Sequence, residues 1–247
     1  LIFQEKFNLK DEHSFETVAF KPENCPEAIY DFLAKSDQYE NDKKINFLIT
    51  EFKDERICSD IESKKILAER IQSIDKKNND ANTWLVEYYF SNKNYSQAIS
   101  SSSILIDGGD RSEKVFLNRG QSYRALGQQE NAINDFLSIV ATNEKNEEAF
   151  LLLGKSYGSL GRFDLSVAAF NRALMLNPKN VDALLFVGVA SAANGNSDES
   201  YGFLRQALVL SKARKNAQKS KIIINAMHST DTFSRLSTED KNFLKLE

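Results

Sequence analysis

Residues 147–180 read EEAFLLLGKSYGSLGRFDLSVAAFNRALMLNPKN, and this stretch decides the fold. Its two apolar runs, residues 150–160 and 163–176, are joined at Gly161, and Pro178 ends the pair. Apolar side chains recur at i, i+3/i+4 and i+7 in both runs, the spacing that places them on one face of a helix. Gly154 is small, which would let the two helices approach closely. The stretch therefore predicts two packed helices and a short turn.

The same pattern recurs with a period of 34 residues. Three sets of like residues fall at this spacing: Tyr89, Tyr123 and Tyr157; Gly120, Gly154 and Gly188; and Ala98, Ala132, Ser166 and Ser200. Self-similarity at a fixed period indicates structural units that stack on their neighbours. The predicted units are residues 79–112, 113–146, 147–180 and 181–214.

The small, aromatic and proline positions of residues 147–180 together resemble a tetratricopeptide repeat (TPR). Residues 113–146 keep most of this pattern, with Glu144 where the proline would be, and the two outer units depart from it further. The resemblance implies an all-α, right-handed helical solenoid in which the first helix of each repeat lines a concave groove. Such arrays bind other proteins more often than they catalyse reactions.

The segment before the repeats has two parts. Residues 1–24 alternate imperfectly between apolar and polar, which fits either a short β-hairpin or an extended arm. Residues 25–78 are predicted to be helical, with helices at 43–53 and 59–76, and Ser59 with Glu62 forms a capping-box signature. These two helices together span about 34 residues, the length of one repeat. Residues 45–78 are therefore a candidate for a degenerate fifth repeat.

Residues 215–247 are predicted to form C-terminal capping helices. Residues 215–228 carry an apolar run, and Ser237 followed by Asp240 resembles a cap for a short helix through Phe243 and Leu244. A solenoid needs a last element that covers its exposed apolar edge.

Composition fits a soluble helical protein, with 41% hydrophobic residues, 27% charged residues and three prolines in 247 residues. A net charge of −3 makes no general case for nucleic acid or membrane. No apolar run approaches the roughly 18 residues that cross a bilayer, so no transmembrane segment is predicted. The chain begins at Leu1, and we expect that an upstream segment was removed or left out. The compartment stays open between cytoplasm and, if a signal or anchor came first, the cell envelope.

The sequence predicts no enzyme, no cofactor and no metal site. His13 and His228 lie at opposite ends of the chain and have no nearby cysteine or serine motif. Cys25 and Cys58 match no zinc or redox spacing, and we expect two free, buried thiols. Gly108-Gly109 lacks the lysine and hydroxyl residues of a phosphate loop, so turn chemistry explains it.

By alignment with the family, groove contacts come from the second, fifth, ninth and twelfth residues of each first helix. The predicted partner-binding residues are Leu117, Gln121, Arg124, Leu151, Lys155, Leu185 and Val189. The three leucines form a row that would hold an apolar or amphipathic segment, while Lys114, Arg124 and Lys155 orient its acidic groups. The alternative is that the leucines only complete the packing between repeats.

One subclass of partner is not expected. Chaperone-binding members of the family grip a terminal carboxylate with lysine and asparagine at the fifth and ninth groove positions of their first repeat. Thr83 and Glu87 stand there in residues 79–112, and Leu117 and Gln121 stand there in the next unit. A chaperone C-terminal tail is therefore an improbable partner.

A basic cluster near the C-terminus carries a weaker hypothesis. Its members are Lys212, Arg214, Lys215, Lys219 and Lys221, and no acidic residue lies between Glu199 and Asp231. As a nucleic-acid site it would bind phosphate with strong salt dependence, but no aromatic residue between Lys212 and Lys221 supports base stacking. A solvated basic face is the favoured interpretation, and an acidic protein partner lies between the two.

The sequence as a whole predicts a non-catalytic protein-interaction module, an adaptor or assembly factor that binds a partner segment in the groove. A competing hypothesis is a structural subunit of an oligomeric or cell-envelope assembly. Contact with nucleic acid is the weakest of the three.

Overall fold

The computed structural model describes residues 25–37, 39–54, 60–238 and 241–242. Within these ranges the elements are α-helices and one short 3-10 helix, Phe233–Arg235, with no β-strand. The predicted all-α class is confirmed. The predicted N-terminal hairpin or arm, Cys58, and the end of the predicted last helix at Phe243 and Leu244 lie outside the described residues.

Twelve α-helices lie in the described ranges. In chain order they are α1 (Cys25–Ser36), α2 (Asn41–Asp54), α3 (Ile61–Ile74), α4 (Asn79–Ser91), α5 (Tyr95–Asp107), α6 (Glu113–Ala125), α7 (Gln129–Thr142), α8 (Glu147–Ser159), α9 (Phe163–Leu176), α10 (Val181–Ala193), α11 (Ser197–Ala213) and α12 (Ala217–Ser229). The chain divides into two compact units, Leu1–Leu85 and Val86–Glu247, and the division falls within α4.

The first unit contains α1 to α3 and the beginning of α4. Its core includes Ile29, Leu48, Leu67 and Ile71, which are all buried. The predicted capping box at Ser59 needs correction, because the residue that caps α3 is Asp60. Its backbone is extended, with φ −76° and ψ 154°, and its carboxylate accepts a hydrogen bond from the Ser63 amide at 2.9 Å. An acidic cap satisfies one of the free amides at a helix start.

In the second unit, helices pair as α6 with α7, α8 with α9, and α10 with α11, and α12 then packs on α11. The approach within each pair is close at a glycine of the first helix. A Cβ atom at Gly154 would lie 2.6 Å from the Phe170 ring, and one at Gly120 would lie 2.6 Å from the Phe136 ring. Ser166 of α9 donates a hydrogen bond to the Gly154 carbonyl at 2.8 Å. The small residues of the period therefore set the distance between paired helices.

The turn inside each pair uses a left-handed residue. Gly161 has φ +72°, where glycine carries no steric penalty. At the corresponding place in residues 79–112, Lys93 adopts φ +60°. A lysine therefore holds the same turn geometry at one of the positions where the later repeats use glycine.

A buried ion pair joins three successive helices of the second unit. Arg119 on α6 donates to both carboxylate oxygens of Asp135 on α7, at 2.9 and 2.6 Å, and to the hydroxyl of Ser103 on α5 at 3.1 Å. Burial raises the pKa of Asp135, while the guanidinium of Arg119 opposes that shift. The guanidinium of Arg119 therefore links α6 to both α5 and α7.

Substituting Gly154 by alanine should destabilise the protein by about 1–3 kcal/mol, because the new methyl group overlaps the Phe170 ring. Gly202→Ala is the matched control, since Gly202 lies in α11 and a Cβ there meets nothing within 4 Å. That variant should gain roughly 0.5–1 kcal/mol from helix propensity. Urea denaturation measures the free energy of unfolding of both variants. Equal changes in the two would contradict the close approach of α8 to the Phe170 ring.

Arg119→Met should cost about 3–5 kcal/mol at neutral pH, because it leaves the Asp135 carboxylate buried without its partner. The loss should shrink as the pH falls, since the raised pKa of Asp135 lets protonation remove that charge while the protein is folded. The double variant Arg119→Met with Asp135→Leu should recover much of the stability. Denaturation curves from pH 7 to pH 5 test this, and a pH-independent loss would argue against an unpaired charge as its cause.

Candidate partner-binding groove

The predicted groove residues lie on a face where adjacent first helices touch one another. We call this the groove face, formed by the second, fifth, ninth and twelfth residues of α6, α8 and α10. The ninth residue of one first helix meets the second residue of the next. Lys114 of α6 bonds to Glu87 of α4 at 2.5 Å, and Gln121 of α6 donates to Glu148 of α8 at 3.4 Å.

The corresponding contact between α8 and α10 is different. Lys155 is the ninth residue of α8 and Asp182 is the second residue of α10, but no ion pair joins them in the described structure. Asp182 instead accepts a hydrogen bond from Lys219 of α12 at 2.5 Å. The Lys155 ammonium lies 4.6 Å from the centroid of the Phe186 ring on α10. A cation over an aromatic face is a favourable contact, but it does not neutralise the charge.

Two cations of the groove face are partly desolvated. Burial is the largest cause that lowers the pKa of Lys155, and the nearby positive charge of Arg124 lowers it further. Burial also lowers the pKa of Arg124. The Nε atom of Arg124 is buried and has no hydrogen-bond partner. Positive charge is thus held between α6 and α8 at a free-energy cost.

The structure separates the members of the predicted leucine row. Leu117 and Leu151 are half-buried and pack against the core around Phe150 and Leu153. Leu185 is a core residue with only 5% of its surface exposed, because it packs in the cluster of α10, α11 and α12 that includes Leu204. Leu185 therefore offers a partner almost no surface, and the row serves the packing between helices as well as the groove face.

Val189 is the most exposed apolar member of the predicted set, at 38%. Gln121 is half-buried and contacts Glu148 across the groove face. With Arg124, Lys155, Leu117 and Leu151, these residues form a mixed surface of apolar and cationic groups.

The basic cluster is not one face of one helix. Lys212 lies in the last turn of α11, Lys215 lies in the following turn with φ +55°, and Lys221 is exposed on α12. Arg214 donates to the Lys179 carbonyl at 3.0 Å, and Lys219 pairs with Asp182. The acidic partner of Lys219 comes from α10, 37 residues earlier in the chain, so it was not visible in the run of residues between Glu199 and Asp231.

Sequence reasoning missed a recurring turn before the first helices. Asn143 accepts from the Lys145 amide at 3.0 Å, and Asn146 caps α8 by accepting from the Ala149 amide at 2.9 Å. The carboxylate of Glu113 on α6 accepts from both asparagines. The same contacts recur one period later, with Asn177, Asn180 and Glu147. The signal was present as NEKN and NPKN at a spacing of 34 residues.

This turn also precedes α4, where Asp75 accepts from the Lys77 amide at 3.1 Å and Asn78 caps the helix through the Ala81 amide at 3.1 Å. The shared turn chemistry supports residues 45–78 as a degenerate repeat, which stays a prediction.

Helix α12 lies where a further first helix would lie. It packs beside α10, as α10 packs beside α8, and Asn216 caps it as Asn180 caps α10. Its buried residues Ile223 and Met227 cover the core of α10 and α11. However, Asn216 follows Asn180 by 36 residues and not 34, because α11 has 17 residues where α9 has 14, while the turn after α11 is one residue shorter.

Repeated antiparallel helix pairs that stack through small residues define a helical-repeat protein. Models of the tetratricopeptide repeat match residues 113–146 and 151–217. Residues 113–146 and 151–217 therefore contain tetratricopeptide repeats.

Solved structures agree with this assignment. The crystal structure of YrrB, described as a TPR protein with an unusual peptide-binding site, is 19% identical with a TM-score of 0.62, and the match covers 85% of this chain and 98% of that one. A crystal structure of MamA is 20% identical with a TM-score of 0.59, covering 64% of this chain and 99% of that one. At these identities the likeness establishes the fold. No curated protein matches the sequence.

TPR proteins are generally non-catalytic modules that bind protein or peptide partners, and this chain is a protein-interaction module by its fold. In the residues that the structure describes, no group of three or more histidine, cysteine or acidic side chains is placed to hold a metal ion. None of the described helices combines the length and apolar character that a membrane span requires.

The Lys219–Asp182 pair should influence the pKa of Lys155. In Lys219→Met, a nearby positive charge is removed and Asp182 is freed, so the pKa of Lys155 should rise. Lysine side-chain NMR across a pH titration measures this. Lys114→Met is the control, because Lys114 pairs with Glu87 at the α4 side of α6, and it should leave Lys155 unchanged. An unshifted Lys155 in Lys219→Met would contradict the electrostatic coupling.

Proposed function

We propose that this chain is an adaptor or assembly factor, without catalytic activity, that binds an extended segment of a partner protein on the groove face. The observation that carries the proposal is the register of the first helices. Because contacts such as Gln121 with Glu148 join the ninth residue of one first helix to the second residue of the next, the side chains of neighbouring first helices form one surface and not isolated patches.

The character of that surface supports an amphipathic segment as the partner. Leu117, Leu151 and Val189 supply apolar area, and Arg124 and Lys155 supply positive charge beside it. A partner segment that alternates apolar and acidic groups complements both. YrrB is described as having a peptide-binding site, and a peptide is the class of partner proposed for this chain.

A peptide-display selection against the purified chain tests the proposal. Random peptides should be enriched by the wild-type chain, and their binding should then be measured by fluorescence anisotropy. Val189→Glu should weaken it by about tenfold or more, roughly 1.4 kcal/mol, because a charge enters the apolar part of the groove face.

Leu137→Glu is the matched control. Leu137 is 42% exposed, close to the 38% of Val189, but lies on the second helix α7. This variant should bind the selected peptides as the wild type does, and circular dichroism should show that both variants stay helical. Equal loss in the two variants, or none in Val189→Glu, would place the peptides elsewhere than on the groove face.

A further inference from the structure

Arg124 and Lys155 stand apart from the other groove-face cation. Lys114 pairs with Glu87, and Lys219, which reaches α10 from α12, pairs with Asp182. In the part of the chain that the structure describes, the side chains of Arg124 and Lys155 make no hydrogen bond and no ion pair. An arginine keeps its charge at all ordinary pH values, so Arg124 cannot avoid the cost of burial by losing its proton.

The acidic residues nearest to Lys155 are already engaged. Glu148 and Asp182 are close enough for their charges to raise the pKa of Lys155. Glu148 accepts from Gln121 at 3.4 Å, and Asp182 accepts from Lys219 at 2.5 Å. The fold therefore leaves two neighbouring positive charges, on α6 and α8, without a direct ion-pair partner among the described residues.

Apolar surface adjoins these charges. The Phe186 ring lies under the Lys155 ammonium at 4.6 Å and stacks on Phe170, with centroids 5.8 Å apart. Leu151 packs against the same buried cluster as Phe186. A ligand that reaches Lys155 and Arg124 thus meets an aromatic and an aliphatic side chain beside the charge.

We propose that Arg124 and Lys155 bind a carboxylate side chain of the partner segment, and that an apolar residue next to it in the partner rests against Phe186 and Leu151. This inference rests on the proposed function, since it specifies the chemistry of the bound segment. The guanidinium fork of arginine matches a carboxylate in two hydrogen bonds, and lysine adds a point charge.

A carboxylate fits this site better than a phosphoryl group. A phosphorylated side chain carries about −1.5 to −2 charges at neutral pH. Glu148 and Asp182 stand close to Lys155 and would repel that second charge more than they repel a single carboxylate. The site is accordingly assigned to aspartate or glutamate in the partner.

The assignment predicts opposite effects on stability and on binding. Removing an unpaired, partly desolvated charge relieves a cost in the free chain, so Lys155→Met should raise the melting temperature. Lys114→Met should leave it unchanged or lower it, because that lysine has a partner. A residue with a purely structural role would lower the melting temperature when it is removed.

The same peptide selection identifies the ligand. Wild-type chain should enrich peptides with aspartate or glutamate at one fixed position beside an apolar residue, and changing that residue to asparagine or glutamine should weaken binding by about tenfold. With Lys155→Met or Arg124→Met as the bait, the same peptide change should have little effect. Lys145→Met, an exposed lysine in the turn between α7 and α8, should behave as the wild type does.

The outcomes distinguish the two proposals. Peptides that are enriched without a fixed acidic position, or that depend on it equally in Lys155→Met, overturn the carboxylate site and leave groove binding standing. Tighter binding of a phosphoserine at that position overturns the choice of a carboxylate. A chain that enriches no peptide overturns both proposals.

Discussion

The fold of the second unit depends on how closely the first helix of each pair approaches the second. At Gly154 the backbone of α8 lies so near the Phe170 ring that a methyl group would overlap it, and the adjacent Ser166 hydroxyl bonds directly to the α8 backbone. The same close approach occurs at Gly120 and Gly188, so the pairs have similar spacing and stack with a constant register. The groove face exists because that register brings the ninth position of one first helix against the second position of the next, as in Gln121 with Glu148.

Much of this architecture could be predicted from the sequence. The 34-residue period fixes the length of each helix pair, and the small residues that recur with it mark where the two helices of a pair come close. The run at 163–176 is a helix with those bounds. The cap at Asp60 was misplaced by one residue, since serine and aspartate are equally good caps and only the backbone angles decide between them. The asparagine turns were missed because amide side chains carry no hydrophobic periodicity, although they recur with the same spacing.

The candidate site was harder to predict, because its properties come from contacts between distant parts of the chain. The alignment gave Leu185 the same position as Leu117 and Leu151, but it is buried because α12 completes the core around it. The partner of Lys219 lies 37 residues away on α10. Whether Lys155 has a counter-ion depends on that pair, so composition and local spacing contain no sign of it.

The length of α11 has an electrostatic consequence. A strict period would make Lys219 the fifth residue of its helix, in line with Leu117, Leu151 and Leu185. Because α11 is three residues longer than α9 and the turn after it is one residue shorter, α12 begins two residues late, and Lys219 is instead its third residue and bonds to Asp182. The length of a second helix thus decides which side chain of the next helix lies beside the groove face, so a change of helix length can alter the charge there without a substitution in the groove face itself.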